Sequence, residues 1–394
     1  MQLRTAALAA SIVLVSAGAA FPADCGGDFE AWKQRVEAEA SQQGVGPQGL
    51  QAFAGARIDP KVLQRDRAQG VFAQTFVEFS TRMVNAYRLK QGAANLKKYA
   101  EIFARADAEF GVPPPVVAAF WALETDFGAV QGDFPTLDAL ATLSHDCRRP
   151  ELFRPQLIAL LQLIDRGILP ADVRGAWAGE VGQTQILPRD YLEKGVDGDG
   201  DGFVDLRGSA PDVIMTTANF VRQLGWRPGE PWLEEVRVPD DLPWEQTGRD
   251  NPQPISYWSG LGVTDRDGAP LADNGVPGGV VLPMGRKGPA FIAYPNYDVY
   301  LEWNQSFVYT LTASHLADRL AGSPAYDPRH PDPALPIDQM KALQELLQAR
   351  GYDVGKVDGV LGSGTRDAVR KEQKRLGLPI DGWPTLELLA KLSA

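Results

Sequence analysis

Apolar positions change their spacing several times along the chain, and each change predicts a different element. Behind Arg4 an apolar, small-residue run extends from Ala6 to Ala20, and polar sequence begins at Asp24. A basic start, a short apolar stretch and the small-x-small sequence Ala17-Gly18-Ala19 predict a secretory signal peptide over residues 1–23, with cleavage there or after Ala20 or Ala23. The run is too short and alanine-rich to span a bilayer, and no later stretch is long enough, so no transmembrane anchor is expected. From Asp28 to about Ala108 apolar residues recur at helical spacing, as in Val71, Phe72, Thr75, Phe76, Phe79 and Met83, which predicts a helical region. Pro113-Pro114-Pro115 suit a helix's first turn and not its interior, so a further helix should run through Trp121 and Glu124 to about Phe127, where Gly128 ends it.

Between Trp232 and Tyr300 the texture turns to Pro, Gly and Asp with short β-type runs such as Gly279-Val280-Val281-Leu282, which predicts loops and a few strands. Helical spacing resumes at about Ser306 and ends near Leu320. Residues 323–335 then open with four prolines in eleven positions, the composition of an extended linker. The last unit, 336–394, is close to the lower size limit for an independent core. It reads as three helices, the first carrying Met340, Leu343, Leu346 and Leu347, the second Val369 and Leu376, the third Leu386, Leu388, Leu389 and Leu392. Two Asp-Gly turns precede the later helices, with Thr365 and Thr385 as their expected N-caps. The expected fold class is α+β, mainly α, with a catalytic unit over 24–322.

Composition narrows the chemistry. The formal net charge is −11, and losing Arg4 with the signal peptide makes it −12, which argues against nucleic acid as a partner. Three scattered histidines, His145, His315 and His330, have no ligand spacing and argue against zinc and Ser-His-Asp hydrolases. The only cysteines, Cys25 and Cys147, favour a disulfide in an exported chain, two separate buried thiols being the alternative. Asp24 stands where lipidation of Cys25 would need a small residue.

Glu124 has Phe120, Trp121 and Phe127 as its helical neighbours. A carboxyl among aromatic rings is desolvated, its pKa rises, and it becomes a general acid usable near neutral pH; a buried glutamate paired with an arginine is the structural alternative. Asp126 is no convergent partner, because residues two apart on a helix point about 200° apart. Asp197 to Asp205 has acids at positions 1, 3, 5 and 9 of an EF-hand loop and Gly202 at position 6, so Asp197, Asp199, Asp201, the Phe203 carbonyl and Asp205 are candidate calcium ligands. Position 12 is Gly208, so the usual bidentate acid is missing and only Asp212 lies nearby.

Glu124-Thr125-Asp126-Phe127-Gly128, Gly182-Gln183-Thr184-Gln185-Ile186-Leu187-Pro188, the acidic loop and Trp303-Asn304-Gln305-Ser306 occur in an order that resembles the lysozyme-like lytic murein transglycosylases of the membrane-bound B type. The resemblance covers roughly Cys25 to Leu320, and the tail resembles a small peptidoglycan-binding domain. It implies a lysozyme-like helical domain with a loop-rich β insertion. It also implies cleavage of the β-1,4 bond between N-acetylmuramic acid and N-acetylglucosamine to 1,6-anhydromuramic ends, with one glutamate, Glu124, as acid and then base. Gln185 matches the motif glutamine; Tyr294, Tyr297, Trp303 and Asn304 lie where the family closes its cleft, two of the four being expected on substrate. No cofactor is required for such chemistry, and a structural calcium is expected. Peptidoglycan is the implied partner, the periplasm the implied location, and a monomer is expected. Glu180-Val181 departs from the family's small-residue-Met pair, and Glu180 is expected as an exposed loop acid that would affect hydrolysis only if it pointed inward.

Overall fold

The computed structural model describes residues 24–67 and 74–394. Residues 1–23, where a signal peptide is expected, and the Val71-Phe72 pair lie outside the described residues. Helices at Phe29–Gln42, Pro47–Ala54, Pro60–Arg67, Phe76–Met83, Ala86–Lys98 and Ala100–Phe110 build the region where helical spacing was read. Thr75 and Glu78 form a reciprocal capping box at the head of the fourth.

Pro114–Thr125 is the central helix. Every residue from Val116 to Leu123 is buried, so it is apolar all round and must be wrapped by other helices. Phe307–Leu320, Ala86–Lys98, Ala100–Phe110 and Ala210–Gln223 pack against it. Cys25 and Cys147 are joined in a disulfide spanning 122 positions. Gly26 beside it has φ +69°, and an added Cβ would sit 3.1 Å from the Cys147 sulfur, so glycine suits both the backbone and the space.

The loop-rich region folds around a four-stranded antiparallel sheet ordered Thr264–Asp265, Leu233–Arg237, Ala290–Ala293, Gly279–Val281. Alternate side chains serve opposite faces. Val236, Val280, Ala290 and Ile292 pack with Trp258 and Tyr294. Leu233, Val281, Phe291 and Ala293 pack with Phe76, Tyr297, Leu311 and Trp383. Both faces are covered, which is why the Gly279–Val281 and Ala290–Ala293 strands read as apolar runs rather than alternating ones. The same region contains two short helices that its loop-like texture does not announce, Ile255–Gly260 and Pro295–Trp303.

Three helices form the tail, Ile337–Ala349, Ser363–Arg375 and Leu386–Ser393, around Met340, Leu343, Leu347, Val369, Leu388 and Leu392. Thr385 caps the third as expected. Thr365 does not cap the second: that cap is Gly362, and Thr365 is buried inside the helix with its hydroxyl 3.3 Å from the Val354 carbonyl. Residues 323–335 lack helix and strand, yet they are laid on the catalytic unit instead of hanging free. Tyr326 stacks on Phe76 at 5.0 Å and its hydroxyl bonds that of Ser80 at 2.6 Å. Arg329 donates to the Val236 carbonyl at 3.0 Å. Beyond the linker, Arg366 and Arg370 each donate to a catalytic-unit carbonyl at 2.7 Å, of Pro283 and Thr247, and Asp381 accepts from the Arg286 backbone at 3.0 Å. Proline content suggests a tether, but two aromatic side chains, Tyr326 and Trp383, find apolar hollows and hold the segment down. Among the described residues no helix is long and apolar enough to cross a membrane.

Candidate active site

Glu124 lies in the last turn of the central helix, with its carboxyl enclosed by side chains from distant segments. Oε1 accepts two hydrogen bonds, from the Trp303 indole at 3.0 Å and the Tyr309 hydroxyl at 2.5 Å. Oε2 accepts none from the described residues. The Trp303 ring is fixed in turn, stacked on Phe120 at 4.3 Å and leaning on Phe220 at 5.1 Å. Burial pushes the Glu124 pKa up, the two donors pull it down, and the nearby carboxyl of Glu180 adds to the rise. The net result is a carboxyl held above the ordinary glutamate range, with one oxygen anchored and the other open. Burial, and then the charge of Glu124, drive the Tyr309 phenol far above its usual pKa, so Tyr309 remains a donor.

The two glutamate- and glutamine-bearing motifs are locked together. Gln183 Oε1 accepts from the Trp121 indole at 2.8 Å, and its carbonyl accepts from the Thr125 hydroxyl at 2.5 Å. Gly128 has φ +87°, and a Cβ there would lie 2.4 Å from Gln183 Oε1. Gly128 is thus required for the close approach of the second motif and does not stop the helix, which ends at Thr125 with Asp126 as its cap. Asp126 is the left-handed cap of that helix at φ 52° and pairs with Arg88 at 2.7 Å, not with Glu124, so it is no partner of the glutamate, though the cap and not regular helical geometry places it.

The other expected site residues divide. Trp303 touches Glu124. Tyr294 and Tyr297 do not touch Glu124: both are almost fully buried, Tyr294 bonded to Glu234 at 2.5 Å and Tyr297 in the core under the sheet. Their sequence spacing serves packing. Asn304 caps the Pro295–Trp303 helix, and its side chain accepts from the Ser306 backbone at 3.0 Å. Gln185, at φ 52°, donates to the Gly182 carbonyl at 2.9 Å and the Gln131 carbonyl at 3.2 Å, which braces the motif turn. Glu180 is not an exposed loop acid. Its Oε2 is buried with no partner among the described residues, and desolvation raises its pKa. Tyr309 is the residue the sequence reading missed; it stands five positions after Asn304 with nothing local to mark it.

In the acidic loop the carboxylates that converge are Asp197, Asp199 and Asp212, with ligand atoms within 4.8 Å of one another. Asp201 and Asp205 are not in that group; Asp201 caps the Phe203 backbone at 2.8 Å and Asp205 those of Arg207 and Gly208 at 2.9 Å. Asp212 is buried and accepts from the Gly198 and Asp205 backbones at 2.7 and 2.6 Å, so an acid from beyond position 12 is fixed beside Asp197 and Asp199. Burial, with the charge of Asp199 adding to it, raises the Asp212 pKa. Three oxygen ligands pressed together, one of them desolvated, fit a hard divalent cation.

Comparison with known proteins places this geometry. Residues 28–318 match the family described as the transglycosylase SLT domain, and residues 337–392 match a peptidoglycan binding domain. Membrane-bound lytic murein transglycosylase B of Escherichia coli strain K12 is 27% identical over 248 residues, 62% of this chain and 67% of that protein. The crystal structure of SltB3 from Pseudomonas aeruginosa in complex with NAG-anhNAM-pentapeptide superposes with a TM-score of 0.86 at 36% identity, covering 94% of this chain and all (100%) of that one. The structure of Escherichia coli lytic transglycosylase Slt35 in complex with calcium gives a TM-score of 0.63 at 25% identity over 76% of this chain and 96% of that one.

Proposed function

Because the chain belongs to the transglycosylase SLT domain family, we propose that Glu124 is the carboxyl with which it cleaves the β-1,4 bond between N-acetylmuramic acid and N-acetylglucosamine of peptidoglycan, leaving 1,6-anhydromuramic ends. The observation that carries the assignment is the asymmetry of its carboxyl: Oε1 is held by Trp303 and Tyr309, while Oε2 has no partner among the described residues. Protonated Glu124 gives its proton to the bridging oxygen as the C1–O bond breaks. The resulting carboxylate takes the proton of the muramyl C6 hydroxyl while that oxygen bonds C1, so the proton returns to Glu124 and no water is consumed. One carboxyl suffices because the attacking hydroxyl is part of the substrate and is already beside the reacting carbon.

Mass spectrometry of digested sacculi tests the reading. Products ending in 1,6-anhydromuramic acid, absent with Glu124→Gln, are expected. Mainly reducing ends would make the enzyme a hydrolase. Glu180 is the specific reason to quantify them, since an enclosed carboxyl near Glu124 could hold a water.

The tail matches a wall-binding family, so peptidoglycan is bound at two places on one chain. Export to the periplasm is the setting that suits the substrate and the Cys25–Cys147 disulfide. Asp197, Asp199 and Asp212 would hold a calcium ion, whose contribution is to neutralise the loop's charge and fix its shape.

A further inference from the structure

Both donors to Glu124 come from one short stretch, residues 303–310, which runs from the end of one helix into the first turn of the next. Trp303 ends the Pro295–Trp303 helix; Ser306 caps the Phe307–Leu320 helix by accepting from the Tyr309 backbone at 3.3 Å. Asn304 ties the two together, taking the Ser306 N–H on its side chain at 3.0 Å and the Thr310 hydroxyl on its carbonyl at 3.1 Å. A first helical turn lacks intrahelical partners for its N–H groups and is where helices open first, so a site that depends on Tyr309 needs that turn held from outside.

The hold comes from the C-terminal domain. Phe307 and Tyr309 are two apart and face roughly opposite ways, about 200° around the helix. Tyr309 faces Glu124, and Phe307 faces the tail. The Arg366 guanidinium lies 5.1 Å from the centre of the Phe307 ring and 5.8 Å from that of Trp383. Its position is fixed by donation to the Pro283 carbonyl at 2.7 Å. Leu311, one turn beyond Phe307 on the same face, packs in the cluster that Trp383 enters. The tail therefore grips one side of the helix whose other side carries the hydroxyl on Glu124.

We infer that Arg366 is a positioning residue for the cleavage reaction, acting through Phe307 to hold Tyr309 on the carboxyl of Glu124, so that the wall-binding domain completes the active site. This rests on the assignment of Glu124 above. The cation stays charged at neutral pH even though burial lowers its pKa to about 10. The groups that act on the Glu124 carboxyl are Tyr309, Trp303 and Glu180, and those acting on Tyr309 besides Glu124 are Tyr300 and Arg88. Arg366 touches none of these directly, so its effect must pass through the helix.

The test uses the full chain and a short soluble glycan of two disaccharide units, which is too small to report wall affinity. Arg366→Gln and Phe307→Leu should each lower kcat roughly tenfold or more, as displaced catalytic groups do, and leave KM within about twofold. Both should move the alkaline limb of the kcat profile to higher pH, because a Glu124 released from Tyr309 loses a hydrogen bond that lowers its pKa and so keeps its proton longer. Tyr309→Phe should give the same displacement, and Arg366→Gln added to it should shift the limb no further. Arg366→Lys should recover part of the rate. If Arg366→Gln does not fold, Phe307→Leu decides, since it leaves every residue of the tail intact. Unchanged kcat and unchanged alkaline limb in a folded variant would overturn the inference, even if binding to sacculi fell. No cleavage by the wild type, or full activity in Glu124→Gln, would instead count against the assignment of Glu124.

Discussion

Glu124 combines two demands that conflict in water: it must keep a proton near neutral pH and yet be a competent base a moment later. Burial raises the Glu124 pKa, which serves the first, and the two donors on Oε1 serve the second by stabilising the carboxylate once it forms. Glu124→Gln keeps the volume and loses both proton steps, so cleavage should fall about 10³-fold or more. The stability effect has a definite sign. A carboxyl whose folded pKa lies above the ordinary 4.5 loses stability for the fold as pH rises from there through the folded value, because ionising it in place is unfavourable. The glutamine variant does not ionise. Its melting temperature relative to wild type should therefore be higher at pH 8 than at pH 5. A difference that is constant between the two pH values would mean that Glu124 is not desolvated.

Secondary elements with strong periodicity could be read directly, and their caps nearly so. The Pro114–Thr125 helix follows from its prolines and apolar run, but it ends two residues before the expected Phe127, with Asp126 and not Gly128 as its left-handed cap. What brings side chains together across the chain could not. Tyr309 reaches Glu124 over 185 positions, and Glu180 turns inward because of packing that no local pattern encodes. Tyr294 and Tyr297 are buried, and sequence spacing alone does not separate an aromatic ring that lines a cleft from one that fills a core. The acidic loop shows the same limit: its register pointed to Asp205, whereas the helix that begins after Ser209 carries Asp212 back to Asp197 and Asp199. Calcium should bind with a Kd on the order of 10⁻⁴ to 10⁻³ M, as in extracellular modules. At about 10 mM calcium that stabilises the fold by roughly 1.4–2.7 kcal/mol. Melting in calcium against chelator should show the rise, and Asp212→Asn should abolish it; equal midpoints in wild type would exclude the site. The Cys25–Cys147 bond closes a span of 122 positions and on the chain-entropy account adds about 5 kcal/mol. Reduction should lower the melting temperature, and alkylation without reductant should label no thiol.

The molecule as a whole behaves differently from what its composition suggests. A chain of 42.8 kDa that ends in a proline-rich segment and a small helical bundle invites a picture of an enzyme with a domain on a leash. Free motion would need the linker and the tail to have no contacts worth keeping. Tyr326 is instead stacked on Phe76, Trp383 is buried to 5% exposure in a cluster with Phe291 and Met284, and Arg366, Arg370 and Asp381 bond catalytic-unit backbone. Release would expose buried apolar surface to water and exchange these hydrogen bonds for bonds to water, so the docked state should dominate chiefly through the apolar contacts. Amide relaxation by NMR distinguishes the two cases. A leashed bundle of some sixty residues (336–394) tumbles several times faster than the rest, whereas a docked one shares the slow correlation time of the whole particle. Shared tumbling is expected for the wild type. Trp383→Ala removes the ring that enters the catalytic unit's core while leaving the helical tail's own apolar core in place, and should free the tail to tumble on its own. Fast, independent tail motion in the wild type would restore the leash, and with it a wall-binding domain that raises local concentration without touching the chemistry.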